Sequence, residues 1–351
     1  MNASDSENIL SVLNNHHDYF KTSSKASGTN SDLNILSDID SVKTLNNVLG
    51  GPRERYGRVR NEFAIVDRNQ QVIFDEDWST IHSTKNPLGR IRTIIEGELR
   101  KKLAENGMAM VHGSAVNYEG NTYLFPAWRH TGKTNVMLTL MQNGADYLGD
   151  DRVFISEGGE IYAFPTNIHL FSYNYNSFDD IRKKNSVSKS RVKLKMWIGS
   201  ITSKYSNKVS KGIDIFNNVM IGEEDWVDPL SLFPDSYLVE KDSVDEVIML
   251  QSSENTDVPS KTPIESGELI RALTGINHVE WNSYLQEVGL AHDILFPNRA
   301  SKEKELELLK EKEENIFSNF SKKAKIRKLL IKPEEYWGEE FKKDIVSEIE
   351  Y

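Results

Sequence analysis

The sequence predicts an α/β fold, and three observations predict it. Two β-rich runs, M-A-M-V-H-G-S-A-V at 108–116 and T-Y-L-F-P at 122–126, are joined by the turn-forming N-Y-E-G-N. An apolar-periodic segment follows, with Val136, Met137, Leu140 and Met141 at the three- and four-residue spacings of a helix. After the breaker N-G-A-D comes a further β run at 147–156, which turns at E-G-G-E into I-Y-A-F-P. Strand, loop, helix, strand and hairpin in this order give an α/β core flanked by antiparallel strands.

The flanking segments follow from their own patterns. Residues 1–52 are rich in Ser, Asn and Asp and end in Gly50-Gly51-Pro52, which predicts a polar, flexible N-terminal tail or a loosely docked helical arm carrying Ile9, Leu13 and Phe20 on one face. F-A-I-V-D and Q-V-I-F-D, separated by R-N-Q, predict a hairpin, and Leu88, Ile91, Ile95 and Leu99 predict an amphipathic helix. In V-K-L-K-M-W-I, Val192, Leu194 and Met196 alternate with Lys193 and Lys195, a strand pattern with one basic face. A strand is expected at 244–251, followed by Thr262-Pro263-Ile264-Glu265 as a capping box that starts a helix running to Leu273 and stopping at Gly275. Residues 301–331 read as a charged helix with Leu306, Leu309, Ile316 and Phe320 as its apolar stripe. The resulting organisation is a tail at 1–52, an α/β domain at 53–280 and a charged helical C-terminal region at 281–351.

Composition narrows the chemistry. The 351 residues include no cysteine, which excludes disulfide frameworks, thiolate metal sites and cysteine nucleophiles. Without a run of ~20 apolar residues or a signal-peptide pattern, a cytoplasmic protein with no membrane span is expected. The net charge of -10 argues against general nucleic-acid binding. That charge is uneven: 181–212 holds ten Lys or Arg and no Asp or Glu, leaving -20 for the rest. A solvated basic surface is the simplest account of this stretch, and an electropositive wall over a triphosphate, with Arg182 or Arg191 supplying charge, is the sharper one.

The residues that carry chemistry are A-W-R-H-T-G-K-T at 127–134, which fit G-x-x-x-x-G-K-[ST] with Ala at the first Gly. Gly132 lets backbone amides approach phosphates, Lys133 supplies a point charge, and the Thr134 hydroxyl suits Mg²⁺. The loop, through Ala127, Arg129, His130, Thr131, Gly132, Lys133, Thr134 and Asn135, is the expected nucleotide site. A β run enters it and a helix leaves it, the context this motif requires. One helix downstream, Asp150-Asp151 stand where a neighbouring strand could bring one carboxylate to the metal and leave the other to accept a proton. His16-His17 lack further ligands at a suitable spacing and predict no metal site.

The runs H-G-S-A-V, Y-L-F-P-A-W-R-H-T-G-K-T and G-A-D-Y-L-G-D-D-R-V-F-I together resemble the catalytic core of HPr kinase/phosphorylase, whose P-loop fold is shared with the ATP-dependent phosphoenolpyruvate carboxykinases. The resemblance covers about residues 107–165 well and fades by about 275. It implies a P-loop core of that type with a mixed sheet and a helical C-terminal addition. It implies ATP and Mg²⁺ as cofactors, with Lys133 and Thr134 on the phosphates and metal. Asp150 and Asp151 are implied to divide metal binding, given to Asp150 with Thr134, from general acid/base work, with His112 beside the transferred group and Lys133 among the catalytic residues. The loop residues Ala127, Trp128, Arg129 and His130 depart from the family's small, Gly-rich loop, and the family's Gly-rich segment after the Asp-Asp strand has no counterpart. HPr itself is therefore not the expected acceptor; a small molecule, a peptide or a protein serine is. Two functions follow: a kinase transferring phosphoryl groups to a hydroxyl, or a nucleotide-binding regulatory or scaffold protein with little transfer.

Overall fold

The computed structural model describes residues 2–3, 33–51, 53–86, 88–202, 225–254, 258–333 and 337–350. The protein is mixed α/β with mixed sheets and a largely helical C-terminal part. It divides into two units, residues 1–109 with 274–317 and residues 110–273 with 318–351. Among the described residues, no helix is long and apolar enough to cross a membrane. Ile9, Leu13 and Phe20 of the expected arm, His16-His17, and 203–212 of the basic stretch lie outside the described residues.

The first unit is built on a seven-stranded sheet of β1 (Asn2–Ala3), β2 (Asn34–Ile39), β3 (Asn46–Gly50), β4 (Glu54–Val59), β5 (Glu62–Asp67), β6 (Gln70–Phe74) and β7 (Thr80–Thr84), in the order β1-β2-β7-β6-β5-β4-β3. The expected hairpin is β5 against β6, antiparallel, with Asp67 opposite Gln70. Alternation puts Phe63, Ile65, Val72 and Phe74 on one face, where helices Ile91–Glu105 and Ser283–Leu295 add Ile91, Ile94, Tyr284, Val288 and Leu295. Ala64 and Ile73 bury on the other face with Ile39 and Val59. Residues 34–50 correct the expected tail: Ile35 and Ile39 are buried in the two faces of this sheet, a pattern hidden by the polar residues around them.

The second unit carries β9 (Gly113–Tyr118), β10 (Asn121–Pro126), β11 (Asp146–Gly149), β17 (Glu246–Ser252), β18 (Ser260–Pro263) and β19 (Lys325–Ile331) in a sheet ordered β11-β9-β10-β17-β19-β18. β10 runs parallel to β17 and β17 to β19, while β9 is antiparallel to both β10 and β11. The carboxyl ends of β10, β11, β17 and β19 therefore share one edge, and β9 starts from it. Helix Lys133–Gln142 buries Val136, Met137, Leu140 and Met141 in the core, where helix Glu339–Glu350 contributes Phe341, Ile345 and Ile349. β12 (Val153–Ser156), β13 (Glu160–Tyr162) and β16 (Lys241–Ser243) join β8 (Met108–Val111) in a four-stranded sheet, and β14 (Ile168–Leu170) pairs with β15 (Asp225–Val227).

Four further expectations are corrected. The β run 147–156 breaks at Asp150–Arg152, where Asp151 takes a φ of 64°, and its halves enter different sheets. Residues 192–198 lie in helix Lys189–Thr202: Val192 and Lys195, three apart, turn inward, whereas Leu194 and Trp197 are 45% and 61% exposed. Thr262 is committed to β18 opposite Lys328, so the next helix starts at Ser266 and runs past Gly275 to Asn277, continuing through a π turn. The charged helix ends at Ser321, and 325–331 is a strand between β17 and β18, so the segment 281–351 is shared by both units and is no separate appendage.

Candidate functional site

The shared strand edge gathers the sequence-predicted residues. His112 stands immediately before β9, 127–132 follow β10, and Asp150–Arg152 follow β11. Because β9 lies between β10 and β11, the carboxylates arrive from the next strand but one.

The loop bends where its residues permit. His130 and Gly132 take left-handed φ values of 55° and 114°, and the loop leads directly into helix Lys133–Gln142. Gly132 has a second reason to lack a side chain, since a Cβ there would meet Ile331 Cδ1 at 2.9 Å and the Trp337 ring at 3.0 Å. Ala127 has no positive φ, and its residue forms a parallel bridge with Leu250, which is why Ala can replace Gly at this position. Gly113 brings β9 close, its Cβ position lying 2.9 Å from the Phe125 carbonyl. His112 Nδ1 consequently lies 2.9 Å from the Ala127 carbonyl; a carbonyl only accepts, so Nδ1 donates and Nε2 faces Asp151 at 3.6 Å.

Lys133 Nζ lies 2.7 Å from Asp151 Oδ1, and Thr134 donates its hydroxyl to Asp150 Oδ2 at 2.9 Å. Asp150 is buried, whereas the Asp151 side chain is 40% exposed. Burial, followed by the charge of Asp151, pushes the Asp150 carboxyl up from 3.8 to about 6, against the pull of Lys133 and the Thr134 hydroxyl. Burial also works against ionised Asp151, but Lys133, His112 and Arg152 together hold its carboxyl well below the usual carboxylate range. In the metal-free protein the two adjacent carboxylates are thus driven apart, Asp150 upward by burial and Asp151 downward by its cationic neighbours.

Asp150 Oδ1 is buried with no hydrogen-bond partner among the described residues. With the Thr134 hydroxyl it forms an oxygen-only donor set, which suits a hard cation such as Mg²⁺ that retains waters and phosphate oxygens. The residues present fit that ion and an anionic ligand at the helix start.

Other predicted residues are placed differently. Asn135 is buried and accepts from Asn174 Nδ2 at 2.8 Å, facing the core. Thr131 is buried, while Trp128, Arg129 and His130 are exposed on the loop. Arg182 is committed to Asp179 and to the Val187 carbonyl. Sequence reasoning missed Arg152, 3.9 Å from Asp151, and Ser114, whose hydroxyl donates to the Lys133 carbonyl at 3.2 Å. Both sit inside runs that carry the resemblance, D-D-R-V and H-G-S-A, so the signal was adjacent. Trp337, under Gly132 from 205 residues downstream, had none. No family model matches the chain, and no curated protein matches it.

Proposed function

We propose that this chain is a P-loop kinase that transfers the γ-phosphoryl group of ATP, with Mg²⁺, to a hydroxyl acceptor. The observation that carries the reading is the convergence of Lys133, Thr134, Asp150, Asp151 and His112 on one strand edge at the start of a helix. A core of the HPr kinase and phosphoenolpyruvate carboxykinase type, suggested by the resemblance of 107–165, accounts for the same set.

Each residue has a task its surroundings suit. The amides of 129–133 and Lys133 hold the phosphates, and Asp150 with Thr134 would hold the metal. When bound, Mg²⁺ would neutralise phosphate charge as it develops. Lys133 must leave Asp151 to reach a phosphate, and this departure removes the largest influence lowering the Asp151 pKa. Asp151 then gains basicity at the moment a hydroxyl needs a proton acceptor. His112 stays fixed by its bond to the Ala127 carbonyl and presents Nε2 to the same spot, ready to orient the acceptor or take the proton onward. Phosphoryl transfer depends on positioning and charge stabilisation, which this set supplies.

The test follows γ-labelled phosphate from ATP into free serine, small hydroxyl compounds, peptides and cell extract. Wild type should label an acceptor, and Lys133→Ala and Asp151→Asn should not. Nucleotide binding without transfer to any acceptor, with wild type and Asp151→Asn alike, would favour the regulatory or scaffold reading instead.

A further inference from the structure

The phosphate loop is flanked by two chemically unlike groups. Through Lys133 it meets Asp151, which has His112 at 3.6 Å and Arg152 at 3.9 Å. Through His130 it packs edge-on to Phe171, with ring centres 6.0 Å apart. From Phe171 the rings continue in two directions, to His169 at 4.3 Å and to Tyr173 at 5.3 Å, the latter stacked within 10°. His169 in turn stacks on Trp226 at 4.5 Å and 6°.

This strip is built by the register of a two-stranded ribbon. Pairing of β14 with β15 sets His169 opposite Trp226, while Ile168 and Leu170, the alternate residues of β14, bury in the core. His169 and Trp226 accordingly stand on the face of the ribbon opposite Ile168 and Leu170. His169, Phe171 and Tyr173 are half-buried, and Trp226 and His130 are exposed.

We infer that the strip His130–Phe171–His169–Trp226 is a stacking platform for the base of the nucleotide whose phosphates occupy the loop. The inference rests on the phosphate-loop reading given under Proposed function. A nucleoside triphosphate has a charged end that reacts and a planar end that does not. The flank with His112, Asp151 and Arg152 meets the needs of the first, and the aromatic flank meets the needs of the second. Because every base has a π face, stacking tolerates base identity and favours the larger purines over pyrimidines. The bulky departures from a Gly-rich loop then acquire a use, as His130 joins the loop to the platform.

The test is calorimetric titration of the full chain with Mg-ATP, Mg-CTP and Mg-tripolyphosphate, for wild type, Phe171→Ala, Trp226→Ala and Lys133→Ala. Circular dichroism checks that each variant is folded. Wild type should bind ATP about tenfold or more tighter than tripolyphosphate, with CTP between them. Phe171→Ala and Trp226→Ala should each remove most of that difference while leaving tripolyphosphate affinity unchanged. Trp226 is 38% exposed, so its replacement carries the test should Phe171→Ala fail to fold. If wild type binds ATP and tripolyphosphate equally, or both ring variants keep the wild-type ratio, the platform is refuted and the phosphate site stands. If wild type binds neither, or if Lys133→Ala binds tripolyphosphate as well as wild type does, the underlying phosphate reading fails and the platform with it.

Discussion

Lys133, the first residue of a helix, holds Asp151, from the turn after β11, with Nζ 2.7 Å from Oδ1. On the kinase reading proposed above, this cation moves to a phosphate and frees the carboxylate that accepts the proton. Lys133→Ala should therefore abolish both functions it serves. Nucleotide affinity should fall steeply and transfer by about 100-fold or more, in line with the loss of one charge-stabilising group. Equilibrium binding of a fluorescent ATP analogue checks the first effect and single-turnover phosphate transfer the second.

The two carboxylates should separate in their effects. Asp151→Asn keeps shape and removes the proton acceptor, so transfer should drop about 100-fold to 10,000-fold while nucleotide affinity changes little. Asp150→Asn should instead raise the Mg²⁺ concentration needed for nucleotide binding. Titrating Mg²⁺ at fixed nucleotide distinguishes them; an identical Mg²⁺ requirement in both variants would count against the division of roles.

In metal-free protein Asp150 is a source of instability with a definite pH window. Its folded pKa of about 6 lies above the ordinary 3.8, so the native state binds the extra proton between these values and the group's contribution to stability falls as pH rises through them. Asp151, depressed by Lys133, contributes in the opposite sense and loses its contribution as pH falls. Asp150→Asn should accordingly be more stable than wild type at pH 7.5, on the order of 1–3 kcal/mol. The advantage should shrink below pH 6 and vanish near pH 4. Urea unfolding of both proteins across this range, with chelator present, measures it.

Gly132→Ala introduces a Cβ at a φ of 114° and 2.9 Å from Ile331 Cδ1, so it should cost about 1–3 kcal/mol and weaken nucleotide binding. Ala127→Gly, which restores the usual loop residue, should leave affinity within about threefold, because the backbone at 127 needs no positive φ. Thermal denaturation and nucleotide titration of the pair settle the contrast.

The first unit depends on a buried charge pair. Arg100 donates through Nε and one terminal nitrogen to both oxygens of Glu313 and through the other to Asn282, with Arg100 fully buried. Arg100→Met should destabilise by about 3–5 kcal/mol, since Glu313 keeps its charge in the interior. The double variant Arg100→Met with Glu313→Gln should recover part of this in a denaturant series.

What the sequence determined by itself is local. The loop 127–134, the helix that leaves it, the hairpin of β5 and β6 and the β9–β10 pair all follow from periodicity, turn residues and one motif whose geometry is carried by contiguous residues. Tertiary structure decided what depends on partners far along the chain. Ile35 and Ile39 read as part of a polar tail until a sheet buries them, and 325–331 read as helix until β17 offers it a parallel edge. Likewise only the fold puts β9 between β10 and β11, seats Trp337 beneath Gly132, and turns His169 and Trp226 into one stacked face. Backbone preferences are small for each residue, so a short amphipathic segment commits to helix or strand according to the surface available to bury it.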